Sequence, residues 1–328
     1  MHELPVEKTR DRLVKVSVKT DPYHGKEPEK RSVTELMQNS IILLDKPSGP
    51  TAHQVDSWVR NIFSGEKVGH AGTLDPKVTG VLPLGIGRAT RGLPVLSQAG
   101  KEYVGVMKLH KPVAQFQVEQ SFQDFTGTIT QLPPVRSAVK RVKRKRKIYY
   151  LQLIELQDTE VLFRVGCEAG TYIRTLCVDI GKHLGVGAHL SELRRTKVGR
   201  FLEKDLVTLH DIKDAVIFYK QGDAKELKNV LQPVERAFNH IPKIIIRDSA
   251  IDAICHGATL AVPGVVELDT DIKKHDLVAI FSLKQEIVAI GKATMNTEQI
   301  IQQDTGICVT TEKVFMNKGT YPAIWKKH

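Results

Sequence analysis

Two spacings of apolar residues alternate along the first two thirds of the chain. Ile41-Ile42-Leu43-Leu44 is a short apolar run, stopped by the turn cluster Asp45-Lys46-Pro47-Ser48-Gly49-Pro50, which predicts a strand. A helix follows. Thr51 is a good N-cap, Gln54 completes a capping box, and Val55, Trp58, Val59 and Ile62 recur at helical spacing as one buried stripe. Val81 to Gly87 predicts a strand. Lys101 to His110 alternates around Tyr103, Gly105, Met107 and Leu109, and Val161, Phe163, Val165 and Cys167 alternate again, the period of strands with one apolar face. Glu168-Ala169-Gly170 turns the chain into a helix beginning near Thr171, with Ile173, Leu176, Cys177, Ile180 and Leu184 on its buried stripe. A polar, helical stretch runs to about Asn239, and His240-Ile241-Pro242 marks a boundary. Beyond it, Leu260–Leu268, Leu277–Leu283 and Ile287–Met295 read as strands, with Lys284-Gln285 as a hairpin turn; together they predict a small β-barrel. Residues 1–40 are polar, carry Pro5, Pro22 and Pro28 and keep no period, so they read as an arm, mobile or laid across another domain. The expected plan is an arm (1–40), a main domain (41–240), a small barrel (241–318) and a tail (319–328).

Composition narrows this picture. A chain of 328 residues with a hydrophobic fraction of 41% has room for two buried cores. No apolar run is long enough to span a bilayer, and the charged first residues lack a secretory core, so a cytoplasmic, membrane-free protein is expected. Cys167, Cys177, Cys255 and Cys308 form no C-x-x-C pair, which argues against a zinc site or a disulfide framework and for small buried hydrophobes. Gly85-Ile86-Gly87-Arg88-Ala89-Thr90 lacks the third glycine of a dinucleotide fingerprint, and there is no Gly-Lys-Ser/Thr loop, so no cofactor is expected. The net charge is +11, and residues from Ile241 onward are balanced at ten Lys/Arg against ten Asp/Glu. The whole surplus (38 minus 27) therefore lies in residues 1–240, as in a protein whose larger part faces a polyanion.

Three features carry candidate chemistry. Gly69 to Gly80 is a glycine-punctuated loop in which Gly69, Gly72 and Gly80 permit unusual backbone angles and Pro76 follows Asp75, holding one carboxylate in place. An Asp-Pro pair alone would be an ordinary turn. Arg136 to Lys147 packs eight basic residues into twelve after Leu132-Pro133-Pro134. Arg141, Lys143, Arg144, Lys145, Arg146 and Lys147 cannot sit in a core, and phosphate contact is favoured over a localisation signal or a plain solvated loop. Tyr103 is either core or a platform for a base. Arg174, in the first turn of its helix, is poorly placed for the helix dipole unless a carboxylate pairs with it; otherwise it is simply exposed.

These residues resemble the TruB-type pseudouridine synthases, and most closely the archaeal H/ACA branch, relatives of dyskerin. The resemblance rests on Leu44 to Gly49, Gly69 to Gly80, Lys101-Glu102-Tyr103-Val104 and Gly170 to Leu176, with Leu132 to Arg141 as a block typical of the H/ACA branch. Gly257 to Val265, including Gly257 and Ala258, looks like part of a PUA domain, an RNA-binding barrel. The family implies an α+β fold: a mixed, largely antiparallel sheet flanked by helices, plus the PUA barrel, with the arm packed on it. It implies isomerisation of uridine in RNA to pseudouridine without cofactor or metal. Asp75 would be the essential carboxylate, as nucleophile or as base. Arg174 would keep it ionised by opposite charge, and Tyr103 would stack on the base and could accept the C5 proton. The target uridine must be flipped out. His70 would fill the vacated space (or serve only as a hydrogen-bonded loop histidine). Tyr172 and Leu193 would line the pocket, and Lys46, grouped with the substrate-binding residues, would with Pro47 support its floor. The partners implied are guide RNA, rRNA and tRNA, together with a small zinc-ribbon-like protein, a glycine/arginine-rich-protein homologue and a kink-turn binder. A stand-alone tRNA enzyme and a non-catalytic RNA-binding assembly protein are the alternatives. Ala71, and Lys197 to Phe201, depart from the common family pattern.

Overall fold

Capping decides where the first long helix begins. Thr51 Oγ1 accepts the Gln54 amide, the Gln54 side chain accepts the Thr51 amide, and the helix runs from Ala52 to Ile62. Its buried residues are Ala52, Val55, Asp56 and Val59, and Trp58, expected on the stripe, is 46% exposed. The inward face lies one turn earlier than the apolar spacing suggests, because Asp56 is drawn in by a partner, His70. The computed structural model describes residues 3–7, 9–134 and 140–323. Val135 to Val139, and with them Arg136 of the basic run, lie outside the described residues, as does the end of the tail.

Two units are distinguished. The first comprises Met1–Lys8, Ile42–Gly85 and Leu93–Val230. Its sheet runs in the order Asn39–Lys46, Thr79–Gly87, Ala188–Val198, Lys101–Leu109, Glu160–Cys167, Arg144–Gln157, Gly127–Gln131. Lys101–Leu109 pairs antiparallel with both of its neighbours, whereas Thr79–Gly80 runs parallel to Arg194–Arg195. Helices Gln115–Asp124 and Ile173–His183 bury Val118, Phe122, Ile173, Leu176, Cys177 and Ile180 in one core with Met107, Phe163 and Val165 of the strands. Each such side chain contributes about 1.5–3 kcal/mol when fully buried.

Part of the basic run is not a loop. Arg144 to Lys147 open the strand Arg144–Gln157 and pair with Ile129's strand, Lys147 opposite Thr128 and Arg144 opposite Gln131. Lys145 and Lys147 are exposed, while Arg144 and Arg146 are half-buried, their long stems lying along the surface.

The second unit comprises Thr9–Ile41, Ile86–Gly92 and Leu231–His328. Its strands run in the order Arg12–Val14, Val265–Asp269, Lys243–Ile246, Leu277–Ser282, Ile287–Ala293, Ile307–Val314, Leu260–Ala261. Ile244, Ile246, Leu268, Val278, Ile280, Val288 and Val309 fill its core with Ile251 and Ile254 of helix Asp248–Cys255. From the arm, Arg12–Val14 pairs antiparallel with Glu267–Asp269, and both Arg31 terminal nitrogens donate to the Glu235 carboxylate at 2.8 Å. The apolar run Leu260–Leu268 is not one strand: Val262–Gly264, with Pro263 inside it, forms a 3-10 turn that splits it in two. The class is α+β, as expected. All four cysteines are buried, and among the described residues no helix is long and apolar enough to cross a membrane.

Candidate active site

The loop between strands Val68–His70 and Thr79–Gly87 is held from beneath. Lys46, fully buried, donates from Nζ to the carbonyls of Pro47, Pro76 and Val78 at 2.8, 2.9 and 3.0 Å. Burial pushes its pKa down, and Asp75 pulls it up. With three carbonyls on one ammonium, Lys46 fixes the loop and has no donor left for a substrate, which corrects its place among substrate contacts. The Val78 amide donates to the Asp75 carbonyl, closing the turn. Gly80 has φ +96°, and a Cβ there would stand 2.2 Å from the Arg195 carbonyl. Gly72 is also left-handed, at φ +73°, but Gly69 lies in a strand with ordinary angles, so the loop needs two special glycines rather than three.

The second support is an amide clamp. Gln131 is 2% exposed; its Nε2 donates to the Tyr172 carbonyl and its Oε1 accepts the Tyr172 amide, at 3.1 and 3.0 Å. Tyr172 is the N-cap of helix Ile173–His183 and makes no cap bond with its own side chain. The clamp therefore fixes the helix start from outside and aims Arg174. Arg174 Nη2 donates to Asp75 Oδ2 at 2.6 Å, resolving the sequence alternatives for that arginine in favour of a carboxylate partner. Both side chains are about 60% exposed (60% and 58%), so the pair adds little stability, about 0–1 kcal/mol, and its geometry serves the open face of a cavity.

That cavity, about 340 Å³, is walled by Asp75, Arg174, Tyr103, Tyr172 and Leu193, with Lys101 and Arg195. Its size is at the low end of small-molecule sites, about 300–1,000 Å³. Tyr103 stands opposite Arg195 on the neighbouring strand. Burial raises the Tyr103 pKa, and the Arg195 guanidinium opposes that rise. Burial pulls Lys101 down to about 7, with Arg195 adding like-charge repulsion.

His70 stands off the cavity wall. Its Nδ1 pairs with Asp56 Oδ2 at 2.7 Å and its Nε2 with Thr73 Oγ1 at 3.0 Å. Of the basic run, Arg146 reaches the site's edge, donating from Nε to the Gly170 carbonyl at 3.1 Å, and Arg141 Nε donates to the Pro133 carbonyl at 3.4 Å. Lys143, Lys145 and Lys147 are exposed. Gly257 and Ala258 are exposed in the second unit, where Thr311 Oγ1 donates to the Ala258 carbonyl at 2.6 Å. Sequence reasoning missed Gln131, Lys101 and Arg195. The signal for the last two was parity: Lys101 shares a strand face with Tyr103, and Arg195 shares one with Leu193.

Residues 60–173 match the TruB family pseudouridylate synthase N-terminal domain, 174–239 the tRNA pseudouridylate synthase B C-terminal domain, 242–315 the PUA domain and 2–56 the DKCLD (NUC011) domain. A probable tRNA pseudouridine synthase B of Methanosarcina barkeri is 52% identical over 99% of this chain and 96% of its own. One of the same name from Pyrococcus furiosus is 50% identical over 99% and 96%. Among solved structures, the chain resembles one from a crystal of a Cbf5-Nop10-Gar1 complex, at 49% identity and a TM-score of 0.94, covering 98% of each chain. It also resembles one from an H/ACA RNP bound to a substrate RNA containing 2′-deoxyuridine, at 47% identity and a TM-score of 0.92, covering 98% of this chain and 100% of that one.

Proposed function

The chain belongs to the TruB family of pseudouridine synthases, and from that premise we propose that it is the catalytic subunit of a guide-RNA-directed H/ACA ribonucleoprotein. The observation that carries the reading is the Asp75–Arg174 pair at 2.6 Å on the wall of the cavity that Tyr103 also lines. Asp75 attacks C1′ or removes a sugar proton, and both roles need the carboxylate that the guanidinium favours. Tyr103 stacks on the extruded uracil, Tyr172 and Leu193 close its pocket, and His70 sits at the loop where the duplex is left open. Arg141 to Lys147 take the RNA backbone. In this reading residues 41–240 carry catalysis, and 241–318, with Gly257 and Ala258, hold the RNA, the arm of 1–40 being packed on that domain. The partners are guide RNA and small subunits such as those in the Cbf5-Nop10-Gar1 complex. The working compartment is the cytoplasm.

A second reading, guide-independent action on the T-loop uridine of tRNA, is favoured by the names of the relatives, probable tRNA pseudouridine synthases B. Incubating rRNA fragments and tRNA transcripts with the full chain, with and without guide RNA and partner subunits, tests both. Pseudouridine in rRNA only with guide is expected, and full rRNA turnover without it overturns guide dependence. Asp75→Asn is expected to abolish product with RNA affinity close to wild type; surviving product overturns the catalytic assignment.

A further inference from the structure

The wall of the Asp75 cavity includes two buried basic side chains to which the chemistry so far gives no task. Arg195 is 1% exposed and Lys101 5%, yet both form part of the wall. Arg195 Nε donates to the Val81 carbonyl at 2.7 Å, and its Nη2, buried, finds no acceptor among the described residues. Lys101 Nζ donates to the carbonyls of Ser97 and Ala99 at 2.5 and 2.7 Å. Neither forms an ion pair with a carboxylate among the described residues; Arg195 disfavours the charge on Lys101, and the group set against Arg195 is the Tyr103 hydroxyl. The missing side chain of Gly72 lets them approach the cavity: a Cβ there would stand 3.3 Å from Arg195 Nη1 and 3.6 Å from Lys101 Cε.

A buried guanidinium without a counter-ion costs several kcal/mol. The carboxylates of the cavity wall are engaged elsewhere. Asp75 has Arg174, and Glu168 accepts the Lys147 amide. The pocket therefore carries a buried guanidinium beside Tyr103 with one nitrogen still lacking an acceptor, an arrangement that suits an incoming anion.

Building on the isomerase reading above, we propose that Arg195, supported by Lys101, stabilises the uracil anion formed when the bond from C1′ to N1 breaks. The bonding pair leaves on N1, so the base carries one negative charge spread over N1 and its carbonyl oxygens. C1′ is then either joined to the Asp75 carboxylate or part of a double bond after Asp75 takes the sugar proton; on both courses the detached base is an anion. Attack of C5 on C1′ consumes the charge, either displacing the Asp75 carboxylate from C1′ or accompanied by return of the sugar proton from Asp75; C5 then gives up its proton and N1 regains one. A fixed cation at that spot favours the cleaved state without rearranging at the moment of reaction.

The test is single-turnover conversion by the full chain, assembled with guide RNA and partner subunits, of substrate RNA bearing uridine or 5-fluorouridine at the target. Fluorine itself stabilises the detached anion, and rearrangement of that base needs no loss of a C5 proton. Arg195→Met is expected to slow uridine about 100-fold or more, and 5-fluorouridine about tenfold less, with RNA affinity unchanged and partial recovery in Arg195→Lys. Lys101→Met is expected to show the same bias with a smaller loss, and it decides the matter if Arg195→Met does not fold. Equal slowing of both bases, or a defect confined to RNA affinity, overturns the proposal. Wild-type protein that makes no pseudouridine overturns the isomerase reading instead.

Discussion

Asp75 and Arg174 are exposed, and Lys101 and Arg195 are buried, so substitutions at the two pairs have opposite signatures. Arg174→Met removes a positioning charge but hardly any stability, so activity is expected to fall by about 100-fold or more while the melting temperature is unchanged within error. A circular-dichroism melt beside a turnover assay checks this. Lys101 behaves the other way. Its pKa is about 7 in the folded protein, against about 10.4 unfolded, so the unfolded chain binds more protons across that interval and stability rises with pH through it. The penalty is fully present below pH 7 and gone above the unfolded value. Lys101→Met should therefore raise the melting temperature at pH 6, by an amount on the order of a few kcal/mol in stability, with the gain shrinking toward pH 10. Melts at the two pH values decide. Gly80→Ala should unfold the loop or the unit, because it meets both a left-handed φ and a carbonyl at 2.2 Å.

Elements were legible where local chemistry was self-contained. The Thr51–Gln54 box gave the start of its helix, and alternation gave the strands around Tyr103 and Phe163. What was hidden depended on distant partners. Trp58 faces out because Asp56 takes the inward position for His70, and no spacing rule encodes that pair. The basic residues Arg144 to Lys147 gave no strand signal because charge masks strand propensity; pairing with Gly127–Gln131 overrides it. Gln131 looked like any polar strand residue. Gln131→Leu should leave the Tyr172 amide unpaired and its carbonyl with the Leu176 amide alone, costing about 1–3 kcal/mol, and should lower turnover more than RNA affinity by releasing Arg174. Denaturant unfolding and a split of kcat from KM would show both effects.

On the scale of the molecule, charge was the most readable property. The surplus of +11 falls entirely before Ile241, on the part that carries the cavity and the basic strand. Reversing Arg141, Lys143, Lys145 and Lys147 to Glu should weaken RNA binding and flatten its dependence on salt, since each lost phosphate contact removes roughly one unit of slope. An unchanged slope would return these residues to ordinary surface charge. In the second unit, Arg31→Met would strand Glu235, whose side chain is 9% exposed, and should destabilise that unit by about 3–5 kcal/mol.

The amide of Gln131 has a mechanical meaning. Gln131 pairs with Arg144, in the ribbon proposed to meet the polynucleotide, and its side chain grips the residue two places before Arg174. On the proposed reading, a tug on that ribbon would pass through two hydrogen bonds to the start of the helix that carries Arg174, the partner of Asp75. Grip and chemistry share a lever, so RNAs truncated where they cross the ribbon should dock yet react sluggishly.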